Sequence, residues 1–81
     1  MKTKAQELGI TNFPYKEYGV EGRETYHERS DGVWYKWEYD KYGNETYYEN
    51  SNGWWMRSKF NSKDDETYYE NSDGYIEYYI I

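Results

Sequence analysis

The chain contains no cysteine. It therefore has no disulfide framework and no Cys-based zinc site. It has no apolar run near the roughly 20 residues of a membrane-spanning helix. Its first eight residues, Met1-Lys2-Thr3-Lys4-Ala5-Gln6-Glu7-Leu8, carry positive charge but no apolar stretch, so they do not read as a signal peptide. A cytoplasmic protein is the expectation.

Groups for catalysis are equally scarce. The one histidine, His27, has no nucleophile elbow near it. It reads as a strand histidine packed between Arg29 and Thr25. Glutamates recur at Glu24, Glu28, Glu45, Glu49, Glu66 and Glu70. A glycosidase needs one carboxyl with a raised pKa in a cleft; glutamates spaced along strands read as solvated ladders instead. Asp64-Asp65-Glu66 lacks the spacing of a calcium loop. No glycine-rich loop cradles a phosphate, and Asn44-Glu45-Thr46 matches a glycosylation sequon by pattern alone. A non-enzyme with no cofactor and no metal is expected.

What is present is aromatic and acidic. The 81 residues allow one small domain with a marginal core. Mean hydropathy is −1.43, low enough to suggest disorder. Yet 23% of residues are aromatic, with 13 Tyr and 4 Trp. A tyrosine ring buries apolar area while its hydroxyl stays wet, so a folded chain is expected. The net charge of −6 disfavours nucleic acid as a direct ligand, because phosphate contacts need Lys and Arg. It suits a basic partner, with attraction that weakens as salt rises.

The chain aligns with itself at a shift of 21. Glu24-Thr25-Tyr26-His27-Glu28-Arg29-Ser30-Asp31-Gly32 falls on Glu45-Thr46-Tyr47-Tyr48-Glu49-Asn50-Ser51-Asn52-Gly53, and that on Glu66-Thr67-Tyr68-Tyr69-Glu70-Asn71-Ser72-Asp73-Gly74. Six of the nine columns are identical in all three copies. Such a period marks a repeat architecture. Asp31-Gly32, Asn52-Gly53 and Asp73-Gly74 signal hairpins with two-residue type I′ turns. The links Asp40–Asn44 and Asn61–Asp65 place Gly43 and the less tolerant Asp64 at a left-handed position. Gly19–Arg23 is the equivalent link before copy one and implies a strand around Tyr15–Tyr18.

The fold class expected is mainly β: an antiparallel meander of 21-residue β-hairpin repeats, six or seven strands in all, with a short N-terminal helix or turn. Residues 1–17 form an N-terminal cap with the first strand. Residues 18–38, 39–59 and 60–81 form the repeats of one domain. Lys2–Leu8 are helix formers and Gly9 a stop; Leu8, Ile10 and Phe13 are expected to cover one end of the sheet.

A two-residue turn fixes the register. It pairs Ser30 with Val33, Glu28 with Tyr35, Tyr26 with Trp37 and Glu24 with Tyr39. Tyr26, Val33, Tyr35, Trp37 and Tyr39 then share an apolar face with Tyr47, Trp54, Met56 and Phe60. The opposite face mixes aromatics with charge: Thr25, His27, Arg29, Trp34, Lys36 and Glu38, then Thr46, Tyr48, Asn50, Trp55, Arg57 and Lys59. Candidate protein-binding residues are Trp34, Tyr48, Trp55, Arg57, Glu49 and Glu70. Copy three places Ile76, Tyr78 and Ile80 on the mixed face and Tyr75, Tyr79 and Ile81 on the other. Tyr75, Ile76, Tyr78 and Ile80 are the candidate edge for a homodimer.

Tyr39-Asp40-Lys41-Tyr42-Gly43-Asn44-Glu45-Thr46 resembles the Tyr-Asp-x-x-Gly-Asn/Arg-x-Thr core of YD (RHS-type) repeats. Thr67-Tyr68-Tyr69-Glu70-Asn71-Ser72-Asp73-Gly74-Tyr75 is similar to the Trp-Tyr-Tyr-x-x-x-x-Gly pattern of choline- and glucan-binding repeats of bacterial cell-wall proteins, with Thr67 replacing the leading Trp. The whole chain resembles small repeat-bearing proteins encoded by bacteriophages. These resemblances cover residues 18–81 and imply β-hairpin repeats; they imply no activity. The function expected is a non-enzymatic binding protein: a phage-encoded acidic inhibitor of a host protein, of the anti-CRISPR or another anti-defence type, acting in the host cytoplasm. The target is a host protein, nucleic-acid-binding if the acidic rows mimic phosphates. Alternatives are a carbohydrate- or cell-surface-binding module and a structural assembly module.

Overall fold

The computed structural model describes residues 2–79. It begins with a short helix, α1 (Lys4–Leu8), capped at both ends. Thr3 Oγ1 accepts from the Gln6 amide at 3.2 Å, and Gln6 Oε1 accepts from the Thr3 amide at 2.9 Å. This reciprocal pair is a capping box. Gly9 ends the helix at φ 72°.

Seven strands follow: β1 (Tyr15–Tyr18), β2 (Glu24–Glu28), β3 (Trp34–Tyr39), β4 (Glu45–Asn50), β5 (Trp55–Phe60), β6 (Glu66–Asn71) and β7 (Ile76–Tyr78). They form one antiparallel sheet in sequence order. A 3-10 turn, Val20–Gly22, joins β1 to β2. The meander and the strand at Tyr15–Tyr18 agree with expectation. The strand expected over residues 75–81 is shorter: β7 spans three residues, and Ile80 and Ile81 lie outside the described residues.

The turns differ from expectation, and the difference moves side chains. The Arg29 amide donates to Val33 O at 2.8 Å, and Gly32 N–H donates to Arg29 O at 3.1 Å. The loop therefore holds three residues, Ser30-Asp31-Gly32, with Gly32 at φ 89°. This is a type I turn followed by a left-handed bulge, not a type I′ turn. The same pattern closes Asn50 to Trp54, Asn71 to Tyr75, Asp40 to Asn44 and Asn61 to Asp65. In four of the five a side chain at the first turn residue selects it. Asn50 Oδ1 accepts from the Asn52 and Trp54 amides at 3.0 and 3.3 Å. Asn71, Asp40 and Asn61 do the same in their turns. Such Asx bonding holds the chain in the type I bend.

One extra loop residue shifts each hairpin register by one. Tyr26 pairs with Lys36, His27 with Tyr35 and Glu28 with Trp34. Tyr47 pairs with Arg57, Tyr48 with Met56 and Glu49 with Trp55. A one-residue slip exchanges faces. Tyr26 and Tyr47 thus join the mixed face with Trp34, Lys36, Trp55, Arg57 and Lys59. His27, Tyr48 and Asn50 join the aromatic face with Tyr35, Trp37, Trp54 and Met56. Ile76 and Tyr78 pair with Glu70 and Tyr68 and so lie on the mixed face as expected.

The sheet is a single layer, with extents of 47 × 30 × 14 Å. The chain exposes 5839 Å², against roughly 5,200 Å² for a compact monomer of 10.0 kDa. Among the described residues only Ala5 and Tyr26 are buried hydrophobics. They mark the one place where a second layer exists, α1 against β1 and β2. Leu8 stays 58% exposed, whereas Ile10 is half-buried and Phe13, 36% exposed, lies beside His27 and Arg29. Elsewhere neighbouring side chains on each face must pack against one another, the usual source of sheet stability.

Candidate functional site

The mixed face is built from rows that cross the strands. One row reads Glu17, Tyr26, Lys36, Glu49, Trp55. The next reads Glu38, Tyr47, Arg57, Glu70, Ile76. Each member of the second row lies 21 residues after its counterpart in the first. Acid, ring and base therefore stand side by side across the sheet.

Along the strands a second rule applies. Residues two apart share a face, and on this face a tyrosine is followed by a glutamate at that spacing. Tyr15 donates to Glu17 at 2.5 Å, Tyr26 to Glu28 at 2.9 Å, Tyr47 to Glu49 at 3.0 Å and Tyr68 to Glu70 at 3.1 Å. Burial and the glutamate acceptor hold the Tyr26, Tyr47 and Tyr68 phenols above their usual value. Cations lie over the rings: Arg57 is 5.6 Å from the Trp55 centroid and 6.0 Å from Tyr47, and Lys59 is 5.3 Å from Tyr68. Arg57 also reaches Glu70 at 3.9 Å.

The centre of the face is an open groove of about 690 Å³ between Lys36, Glu38, Tyr47, Arg57 and Lys59. At the β1–β2 end the corresponding surface is filled by α1. Glu28, 1% exposed, accepts from Thr3 Oγ1 at 2.6 Å and the Ala5 amide at 3.1 Å. Burial opposes its ionisation, but the Thr3, Ala5 and Tyr26 donors outweigh that and hold its pKa below the ordinary value. Lys4 reaches Glu17 at 2.5 Å and lies 5.3 Å from the Tyr26 centroid. Glu28 is thus a buried docking carboxylate, not part of a solvated ladder.

The aromatic face carries a continuous stripe. His27 meets Tyr35 at 6.0 Å, Tyr35 meets Trp37 at 6.1 Å, Trp37 meets Tyr48 at 5.9 Å and Tyr48 meets Trp54 at 5.8 Å. His27 Nδ1 lies 2.9 Å from Glu24, and its ring meets Tyr35 edge to face. Ser58 interrupts the stripe, paired with Tyr69, and its buried Oγ has no hydrogen-bond partner.

Of the six candidate binding residues, Trp34, Glu49, Trp55, Arg57 and Glu70 share the mixed face. Tyr48 is separated from them by the sheet. Trp34 stacks on Tyr26 at 6.0 Å beside α1. Sequence reasoning missed Lys4, Glu28 and Tyr47 as neighbours of the site; the recurring Tyr-x-Glu spacing was the signal for Glu28 and Tyr47. At the sheet edge Ile76 is 52% and Tyr78 74% exposed; Ile80 lies outside the described residues.

No described helix is long and apolar enough to cross a membrane. Among the described residues no group of three or more His, Cys, Asp or Glu is placed to hold a metal. No protein family, no curated protein and no solved structure matches the chain.

Proposed function

We propose that the protein is a non-enzymatic binding module that engages a partner protein through its mixed face. The observation that carries this is the open row Glu38, Tyr47, Arg57, Glu70 beside Trp55, on a sheet with no second layer over it. Tyr, Trp and Arg are the side chains most often dominant in protein interfaces. The inhibitor of a host protein is the narrower form of this proposal. Because Lys36, Arg57 and Lys59 interleave with the acids, the face suits a partner with both charge signs better than a purely phosphate-binding one. Affinity capture from candidate host cells, read by mass spectrometry, tests it. Trp55→Ala and Arg57→Ala are expected to weaken capture of the specific partner at least tenfold, while Tyr48→Ala leaves it intact. Equal loss in all three, or none, counts against the mixed face.

The aromatic stripe supports a second reading, a carbohydrate-binding surface. Tyr35, Trp37, Tyr48 and Trp54 offer adjacent ring faces near Asn50, and sugars stack on such rings. Quenching of tryptophan fluorescence by a glycan panel, abolished in Tyr48→Ala, is its expected signature; no response removes it. Self-association along the outer edge of β7 is a separate proposal. Light scattering across a dilution series tests it, and a monomer at every concentration contradicts it.

A further inference from the structure

The chain already shows what its mixed face holds. In the first hairpin Glu17, Tyr26 and Glu28 receive the start of α1: Lys4 on Glu17 and over Tyr26, the Thr3 hydroxyl and Ala5 amide on Glu28. Twenty-one residues on, Glu38, Tyr47 and Glu49 occupy the same places in the sheet. Glu38 pairs with Tyr47 as Glu17 does with Tyr26. Tyr47 donates to Glu49 as Tyr26 does to Glu28. Among the described residues no helix lies over them; Arg57 lies 6.0 Å from the Tyr47 centroid, and Lys2, Thr3 and Lys4 line a smaller pocket that reaches Glu49. The groove of about 690 Å³ lies over Glu38 and Tyr47, where the counterpart of α1 would rest. Among the described residues Glu38 and Glu49 make no ion pair, whereas Glu17 is paired with Lys4.

We infer that the surface of Glu38 and Tyr47, which line the groove, with Glu49 two residues along the strand from Tyr47, is the docking site for a segment of a partner protein with the chemistry of residues 3–5. That segment is the first turn of a short helix opening with Ser or Thr, then Lys, then a small residue. Its lysine pairs with Glu38. Its capping hydroxyl and a first-turn amide reach Glu49. The occupant is a foreign segment and not α1 of a second copy, because α1 is held within its own chain by the buried Glu28. The third hairpin is not a further site: Lys59 stands where Glu17 and Glu38 stand, so no carboxylate is there to pair with the lysine. This deepens the protein-binding reading and rests on it.

The test uses the full chain, labelled with ¹⁵N, and a synthetic peptide of the sequence of residues 2–10. The expected result is saturable shifts of the Glu38, Tyr47 and Glu49 amides. Glu38→Gln, an exposed position, is expected to weaken binding about threefold, within the range of exposed ion pairs. A peptide with alanine for its second lysine is expected to bind as weakly. Shifts confined to Glu17, Tyr26 and Glu28 would show only exchange with α1 and overturn the inference. So would no shifts at millimolar peptide, or shifts unchanged in Glu38→Gln. Those failures leave Trp55- and Arg57-dependent capture standing; loss of that dependence would instead remove the wider reading.

Discussion

The Thr3 hydroxyl donates to the Glu28 carboxylate at 2.6 Å, and this contact joins two segments 25 residues apart. It sits beneath α1, the only second layer among the described residues. A carboxylate buried this fully is tolerable because three donors converge on it.

Glu28→Gln is therefore expected to cost about 2 kcal/mol, the value of hydrogen bonds to a charged group. Urea denaturation measures the cost, and amide spectra should show α1 released.

The pH dependence follows from the same site. The Glu28 pKa is lowered from its ordinary 4.5, and so is that of Glu17, chiefly by Lys4 and Tyr15. Their contribution is complete above about pH 4.5 and is lost as pH falls through the depressed values. Tyr26 is raised above its ordinary 10.0 by burial and by Glu28. Its contribution is complete below pH 10 and is lost as pH rises through the raised value. Thermal stability should fall at both limits, with Glu45, raised by burial, working the other way just above pH 4.5, and Glu28→Gln should blunt the acid limb specifically.

Two turn glycines separate strain from contact. Gly43 and Gly53 have φ of 90° and 89°, so alanine at either costs about 1–2 kcal/mol. A Cβ at Gly43 would also lie 2.3 Å from the Arg23 guanidinium, while one at Gly53 meets nothing. The guanidinium is the end of a flexible side chain and can swing aside, so the two variants should lose similar stability, and chemical denaturation of both reads the shared backbone strain.

Ser58 stands where Trp37 stands one hairpin earlier, with a buried hydroxyl that bonds to nothing. Removing an orphaned hydroxyl relieves its desolvation. Ser58→Ala should raise stability by about 1 kcal/mol, as an increased urea midpoint.

Strand positions were legible in the sequence because Tyr, Thr and Trp runs alternate with turn residues at regular spacing. The left-handed site at Gly43 and its strained counterpart Asp64, at φ 64°, were legible too. The register was not. Asp31-Gly32 and Asn52-Gly53 suit either a two-residue type I′ turn or a three-residue type I turn with a glycine bulge. The side chain that decides between them comes earlier: Asn50 and Asn71 bond back into their turns. The first hairpin makes the same turn with Arg29 in that place, Asp31 accepting from the Val33 amide instead; because strand periodicity is two, the extra loop residue moved Tyr26 and Tyr47 onto the mixed face and Tyr48 off it. Docking of α1 on Glu28 was hidden because nothing local to Thr3 or Glu28 reports a contact 25 residues away.

Every functional conclusion depends on how the faces divide, and one contact reports that division. Tyr26 stacks on Trp34 at 6.0 Å, with Trp37 on the opposite face. Side-chain nuclear Overhauser spectra of the full chain should show contacts between the Tyr26 ring and the Trp34 indole, and none between Tyr26 and Trp37. Contacts between Tyr26 and Trp37, with none to Trp34, would restore the two-residue turn and contradict the account.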